Sequence, residues 1–200
     1  MTDLFKEKAQ DWDVNDRITA LSQGISAAIH AHVELDTSMR AMDFGAGTGL
    51  ITAQVADKVG RVLAVDGSEA MLAQLAAKTE LHGKVEILCQ NILERPLGQE
   101  LDLIVSAMAM HHIEDTDKMV QRFAEHLKSG GRVALADLDE EDGSFHAPDV
   151  EGVFHAGFNR DAFRGVLERH GFVDVRFVTA HTVTKEDKSY PVFLATATRS

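Results

Sequence analysis

Seven residues, Asp43-Phe44-Gly45-Ala46-Gly47-Thr48-Gly49, follow an apolar pair at Ala41-Met42 and lead directly into an amphipathic stretch that begins at Leu50. Glycines at alternate positions free the backbone for conformations that a Cβ forbids, and they let a ligand approach bare N–H groups at a helix N-terminus. Strand, glycine-rich turn and helix in that order open a nucleotide-binding βαβ unit. Such a loop by itself is equally compatible with a tight structural turn, so the next strand has to decide. That run, Arg61 to Val65, is followed at once by Asp66, 23 positions after Asp43. The interval is close to the roughly 20 residues expected between a glycine loop and the acid that accepts the ribose hydroxyls.

The rest of the chain repeats the same alternation. Strands are expected at Arg40 to Phe44, Arg61 to Val65, Lys84 to Cys89, Leu101 to Ser106 and Arg132 to Asp137. Most are apolar on both faces, as central parallel strands covered by helices are. Helices are expected at Leu50 to Val59, Ser68 to Leu81, Asp115 to Lys128 and Asn159 to His170. Ser68 suits an N-cap, and Gly130-Gly131 is read as closing the third of these helices. Two final runs, Val173 to Thr182 and Val192 to Thr198, are joined by only a short turn and should form an antiparallel hairpin at the sheet edge. The expected fold class is therefore α/β, a Rossmann-like three-layer sandwich with a mostly parallel seven-stranded sheet and a C-terminal antiparallel hairpin. Two hundred residues with 44% hydrophobic content suit one domain, residues 1–200, with an N-terminal helical cap over 1–35.

The glycines stand as GxGxG, whereas a pyrophosphate is positioned by GxGxxG. An acid at the head of the loop, Asp43, also opposes an anionic pyrophosphate and favours ammonium and sulfonium groups. Both points weigh against a nicotinamide-dependent oxidoreductase and for S-adenosylmethionine.

Asp43 to Gly49 resembles motif I of the class I S-adenosylmethionine-dependent methyltransferases, and Val65-Asp66-Gly67-Ser68-Glu69-Ala70-Met71-Leu72 resembles their ribose-binding turn. The likeness runs from about Trp12 to the C-terminus and is closest to the small-molecule branch that includes ubiquinone and menaquinone biosynthesis enzymes. It implies S-adenosylmethionine as cofactor, S-adenosylhomocysteine as product, and a methyl group delivered to a small-molecule acceptor by in-line displacement. The cofactor residues it implies are Asp43, Gly45, Ala46, Gly47, Asp66, Gly67 and Met71, with Asn91 and Ile92 toward adenine and Ser106 and Ala107 under the methionine. Where the family usually has Asp, this chain has Asn91, whose amide oxygen can still meet the adenine amino group.

No catalytic residue is dictated, because alignment alone accounts for much of a methyl transfer. His111, His146 and His155 are the candidates for a general base, imidazole being able to take a proton near neutrality. The stretch 137–158 exceeds an ordinary connection and is read as a lid over the acceptor. Trp12, Met108, His111, Asp139, Phe145, His146, His155 and Phe158 are the candidates for acceptor contact. The acid run from Asp139 to Asp142 could receive a cation, although such runs are usually solvated. His146 and His155 have no recognised metal spacing, so no metal is expected. A cofactor-binding regulatory protein without turnover stays open as an alternative.

A net charge of −12 disfavours nucleic acid, whose affinity depends on Lys and Arg. One cysteine, Cys89, excludes an internal disulfide and points to a reducing compartment. The N-terminal residues lack a signal-peptide core and no run is long enough to span a membrane, so a cytoplasmic protein is expected. Oligomeric state is left open.

Overall fold

A computed structural model describes residues 3–200; Met1 and Thr2, at the head of the expected N-terminal cap and leader-free start, lie outside the described residues. A 17-residue helix α1 (Asp16–His32) precedes the sheet, capped by Asn15, whose side chain accepts from the Arg17 and Ile18 N–H groups. The alternation then runs β1 (Arg40–Phe44), α2 (Leu50–Ala56), β2 (Arg61–Asp66), α3 (Glu69–Ala76), β3 (Val85–Cys89), β4 (Leu101–Ala107), α4 (Thr116–His126) and β5 (Leu127–Leu138). It closes with α5 (Arg160–Arg169) and the long hairpin β6 (Phe172–Lys185) and β7 (Lys188–Arg199).

All seven strands form one sheet in the order β3-β2-β1-β4-β5-β7-β6. Neighbours from β3 through β5 pair in parallel, while β7 pairs antiparallel with both β5 and β6. Alternation along the strands sends side chains to two cores. Met42, Phe44, Leu63 and Val65 join Met119, Val120 and Phe123 of α4 and Phe163 and Leu167 of α5. Ala41, Val62, Leu103 and Val105 join Leu21, Ile25 and Ile29 of α1 and Ile51 and Val55 of α2. Each fully buried aliphatic or Phe side chain contributes about 1.5–3 kcal/mol, so the two faces hold the layers firmly. The expected three-layer α/β sandwich is the observed one.

Three details differ from the sequence reading. The pair Gly130-Gly131 does not close a helix: α4 ends at His126, and the glycines lie inside β5. Leu101 pairs with Leu127 and Leu103 with Arg132, so the extra residues bulge out, with Gly130 at φ +79. A left-handed residue serves a helix C-cap and a bulge alike, which is why the pair was ambiguous. Strand β3 is mostly exposed, Ile87 included, because it is a sheet edge rather than a central strand. The helices α2 and α3 are also shorter than expected, the latter giving way to a separate turn of 3₁₀ helix at Thr79–Leu81.

The strand order reverses at β1, with β2 and β3 on one side and β4 onward on the other. Ligands of open α/β sheets sit beyond the strand carboxyl ends at such a reversal.

Candidate functional site

A cavity of about 720 Å³ opens there, walled by the loops after β1, β2 and β4 and roofed by the segment ahead of α1. Its first end is built by backbone. Gly45 and Ala46 donate their N–H groups to Val65 O at 2.9 and 3.0 Å, which lashes the glycine loop to β2. Gly45 (φ +72) is required because a Cβ would run into the Ala109 side chain. At Gly47 a Cβ would meet nothing, so it is the left-handed backbone (φ +54), which turns its N–H onto Asp66, that calls for glycine.

Asp66 is held between two N–H donors, Gly47 to Oδ2 and Ser68 to Oδ1, both at 2.8 Å. Burial raises its carboxyl against the pull of these bonds. Each oxygen retains a lone pair, and hydroxyl donors at the cavity wall would complete it. Asp43 lies deeper and is buried, with Thr52 Oγ1 donating to its Oδ2 at 2.6 Å. Burial, reinforced by the charge of Asp66, pushes Asp43 up to about 7. A cation arriving at this end would relieve both carboxyls. Gly67, Met71, Asn91 and Ala107 complete this wall.

Asn91 already uses its amide oxygen, which accepts the Leu93 N–H at 3.0 Å. Two other residues expected here are absent from the wall. Ile92 is fully buried in the core, and Ser106 donates through Oγ to Phe44 O at 2.8 Å, bracing β4 against β1. Strand alternation sends Ser106 into the interior and leaves Ala107 to the cavity.

The second end is built by side chains. Asp137, buried at the end of β5, accepts from the Met110, His111 and Leu138 N–H groups and from His111 Nδ1 at 2.7 Å. With Asp137 as the acceptor of all four contacts, the His111 ring donates from Nδ1. His111 Nε2 is then an acceptor, and it has no partner among the described residues. His146 stands 5.0 Å from the His111 ring, centroid to centroid, and its Nε2 is also unpartnered. His112 packs at 4.2 Å from His111 but donates from Nδ1 to Gly152 O, tying down the loop overhead. Burial first, then neighbouring imidazoles, holds His112 and His146 down at about 4, so both are neutral at pH 7. Met108 follows in a left-handed conformation (φ 56), a strain that a non-glycine residue adopts only where its surroundings enforce it.

Of the residues expected to contact an acceptor, Trp12, Met108, His111, Phe145 and His146 line this cavity. Asp139, His155 and Phe158 do not. Asp139 is gripped by Arg160 through two bonds of 2.6 and 2.7 Å, and His155 Nε2 donates to Ile113 O. Phe158 packs in the core with Phe163 and Phe193, because an isolated parallel bridge from Asp139 draws it onto the sheet. His155 is thus withdrawn as a base, being engaged in holding the 139–158 loop to Ile113.

Several residues at or beside the cavity carry no sequence signal of their own. Asp3 accepts from Ser68 Oγ at 2.9 Å, and Asp13 accepts from Thr48 Oγ1 while pairing with Lys78 at 2.6 Å. These contacts fold the N-terminal segment over the glycine loop. Phe5 and Trp12, the aromatic residues of a mostly polar stretch, whose rings meet edge to face, were the available hint. Lys8, Arg17 and Lys185 also reach the cavity. Among the described residues no group of three or more His, Cys, Asp or Glu could hold a metal ion, and no helix is long and apolar enough to cross a membrane.

Comparison with known proteins agrees with the geometry. Residues 41–131 match the model of a methyltransferase domain. An uncharacterized methyltransferase of Schizosaccharomyces pombe is 28% identical over 137 residues, covering 60% of this chain and 48% of its own length. The chain spans about half the length of the first curated relatives it matches. Among solved structures, the methyltransferase crystallised with the Haloferax volcanii Trm112 activator superposes with a TM-score of 0.79 at 16% identity, covering 98% of this chain and 96% of that one. The N-methyltransferase NodS of Bradyrhizobium japonicum, in complex with S-adenosylhomocysteine, gives 0.74 at 14% identity, covering 98% and 94%.

Proposed function

We propose that the chain is a class I S-adenosylmethionine-dependent methyltransferase whose cavity binds S-adenosylmethionine at the glycine-loop end and a small-molecule methyl acceptor at the histidine end. The observation that carries the reading is the shared wall of Gly47 and Asp66, in which a side-chain-free glycine and a half-buried carboxylate fixed by two N–H donors face one cavity. Asp66 would accept the ribose hydroxyls, and Asp43 would balance the positive charge of the methionyl sulfonium and ammonium. Asn91 and Met71 would border the adenine. The cofactor supplies an electrophilic methyl on a sulfonium, so the protein's task is chiefly alignment.

His111 is the residue of this chain suited to general-base work. Its Nε2 lone pair is free, Asp137 orients the ring, and the buried carboxylate would stabilise the imidazolium that forms when the acceptor gives up its proton. His146 and His112, neutral beside it, keep the pocket from repelling that positive charge. The single exposed Cys89 suits a reducing, cytoplasmic setting.

Two titrations separate this reading from its rivals. Binding of S-adenosylhomocysteine with no response to NADH excludes a nicotinamide enzyme, whereas the reverse result would sink the cofactor assignment. Release of S-adenosylhomocysteine in the presence of an acceptor panel distinguishes an enzyme from a protein that only binds the cofactor.

A further inference from the structure

Charged side chains in the cavity are sorted by sign. Asp3, Asp43 and Asp66 gather at the glycine-loop end, Asp3 and Asp66 sharing Ser68 as donor and Asp43 accepting from Thr52. The cations Lys8, Arg17 and Lys185 stand at the other end. Lys185 Nζ lies 3.9 Å over the Phe145 ring and donates to Phe145 O. Phe145 in turn meets His146 at 4.9 Å, and His146 meets His111 at 5.0 Å, so Lys185 is two rings away from the proposed base. Burial first, and the Arg17 charge second, holds the Lys185 ammonium below the usual lysine range. Exposed Arg17 and half-buried Lys185 line the same cavity, where like charges disfavour each other and an anion between them would reverse that.

In a chain with 32 acidic and 20 basic side chains, such cations would be expected to find acids. Nine Lys and Arg residues pair within 4.0 Å among the described residues, and these three are among the eleven that do not, set apart from the rest by lining the cavity. The neighbouring acid run is committed elsewhere. Asp139 holds Arg160, Glu140 accepts from Asn159, Glu141 caps the Ser144 and Phe145 N–H groups, and Asp142 takes Lys188. Each acid of this run thus has a partner within the chain, which favours the reading of the run as a structural, solvated face over that of a cation receptor. Between the cations and His111 the wall is apolar, made by Ile18, Leu21 and Ile25 of α1, with Val183 and Phe145.

We propose that the methyl acceptor is a small anionic amphiphile, its apolar body against α1 and Phe145 and its anionic head between Arg17 and Lys185. Arg17 supplies a planar fork that suits a carboxylate, and Lys185 a second charge. The proposal rests on the reading of the cavity as a methyltransferase site.

The test loads the full chain with S-adenosylhomocysteine by calorimetry, then titrates matched pairs that differ only in charge: benzoate and benzamide, 2-naphthoate and 2-naphthamide, octanoate and octanamide. At least one carboxylate should bind ~10-fold tighter than its amide, the scale of a charge-assisted bond, with the margin shrinking in high salt. In the double variant Arg17→Gln, Lys185→Met, the margin should fall below ~2-fold while S-adenosylhomocysteine binds as before. Arg17→Glu, an exposed change in the first turn of α1, should do the same if the double variant folds poorly. Equal affinity within every pair, no binding of any probe, or a preference that survives Arg17→Glu would overturn the proposal with the cofactor reading intact. Absence of S-adenosylhomocysteine binding at the first step would overturn both.

Discussion

The two ends of one cavity are made in opposite ways. The glycine-loop end is backbone held by contiguous sequence, with Gly45, Ala46 and Gly47 lashed to Val65 and Asp66, and it is acidic. The histidine end is assembled from side chains of α1, the turn after β4, the 139–158 loop and β6, with Asp137 of β5 behind His111, and beyond its imidazoles it is cationic. The difference bears on the ligands proposed for each: a cationic cofactor against backbone held by contiguous sequence, and an acceptor against side chains gathered from several elements.

The largest effect should come from the histidine end. His111→Gln should lower turnover ~100-fold or more, the range of general-base contributions, with S-adenosylhomocysteine affinity unchanged. Product release with whichever hydroxylated or aminated aryl carboxylate turns over provides the measurement. A variant that keeps its rate would leave alignment alone as the catalytic device. Asp137→Asn should show a smaller loss with a changed pH profile, because it frees the ring tautomer rather than removing the base.

A smaller effect separates the two ends by pH. Asp43 titrates at about 7 in the fold against 3.8 when unfolded, so between those values the folded chain holds a proton that the unfolded chain has released. Its contribution therefore falls as pH rises from about 4 to 7. His112 and His146 titrate at about 4 against 6.5 unfolded, so the unfolded chain takes protons first and stability falls as pH drops from 6.5 toward 4. Without ligand, Asp43→Asn should raise Tm by about 3 °C at pH 8 and leave it unchanged at pH 4, whereas His146→Gln should raise it at pH 5 and not at pH 8. Thermal scans at these pH values check both, and matching shifts across pH for either variant would erase the contrast.

The same division explains what could be read in advance. Gly45, Gly47, Asp66 and the Ser68 cap lie within a few residues of their partners or one strand away, so spacing exposed them. The Gly130-Gly131 pair misled because a helix end and a bulge ask the same left-handed geometry of glycine. Ile92, Ser106 and Phe158 lay in motif-like segments, but strand alternation and one bridge turned them into the interior. Arg17 and Lys185 were invisible because a helix start and a hairpin end meet only after the sheet is complete. The Asp139–Asp142 run looked like a binding patch until its partners, Arg160 and Lys188, came within reach.

The central claim, that the glycine loop and Asp66 form the seat of S-adenosylmethionine, is tested most directly by calorimetry on the wild-type chain and on Asp66→Ala shown by its thermal scan to be folded. The account predicts one S-adenosylhomocysteine site, silence toward NADH, and a loss of at least ~1.5 kcal/mol, about tenfold, in the variant, the scale of hydrogen bonds to a charged group. Unchanged affinity in the folded variant, or binding of NADH in place of S-adenosylhomocysteine, would contradict it.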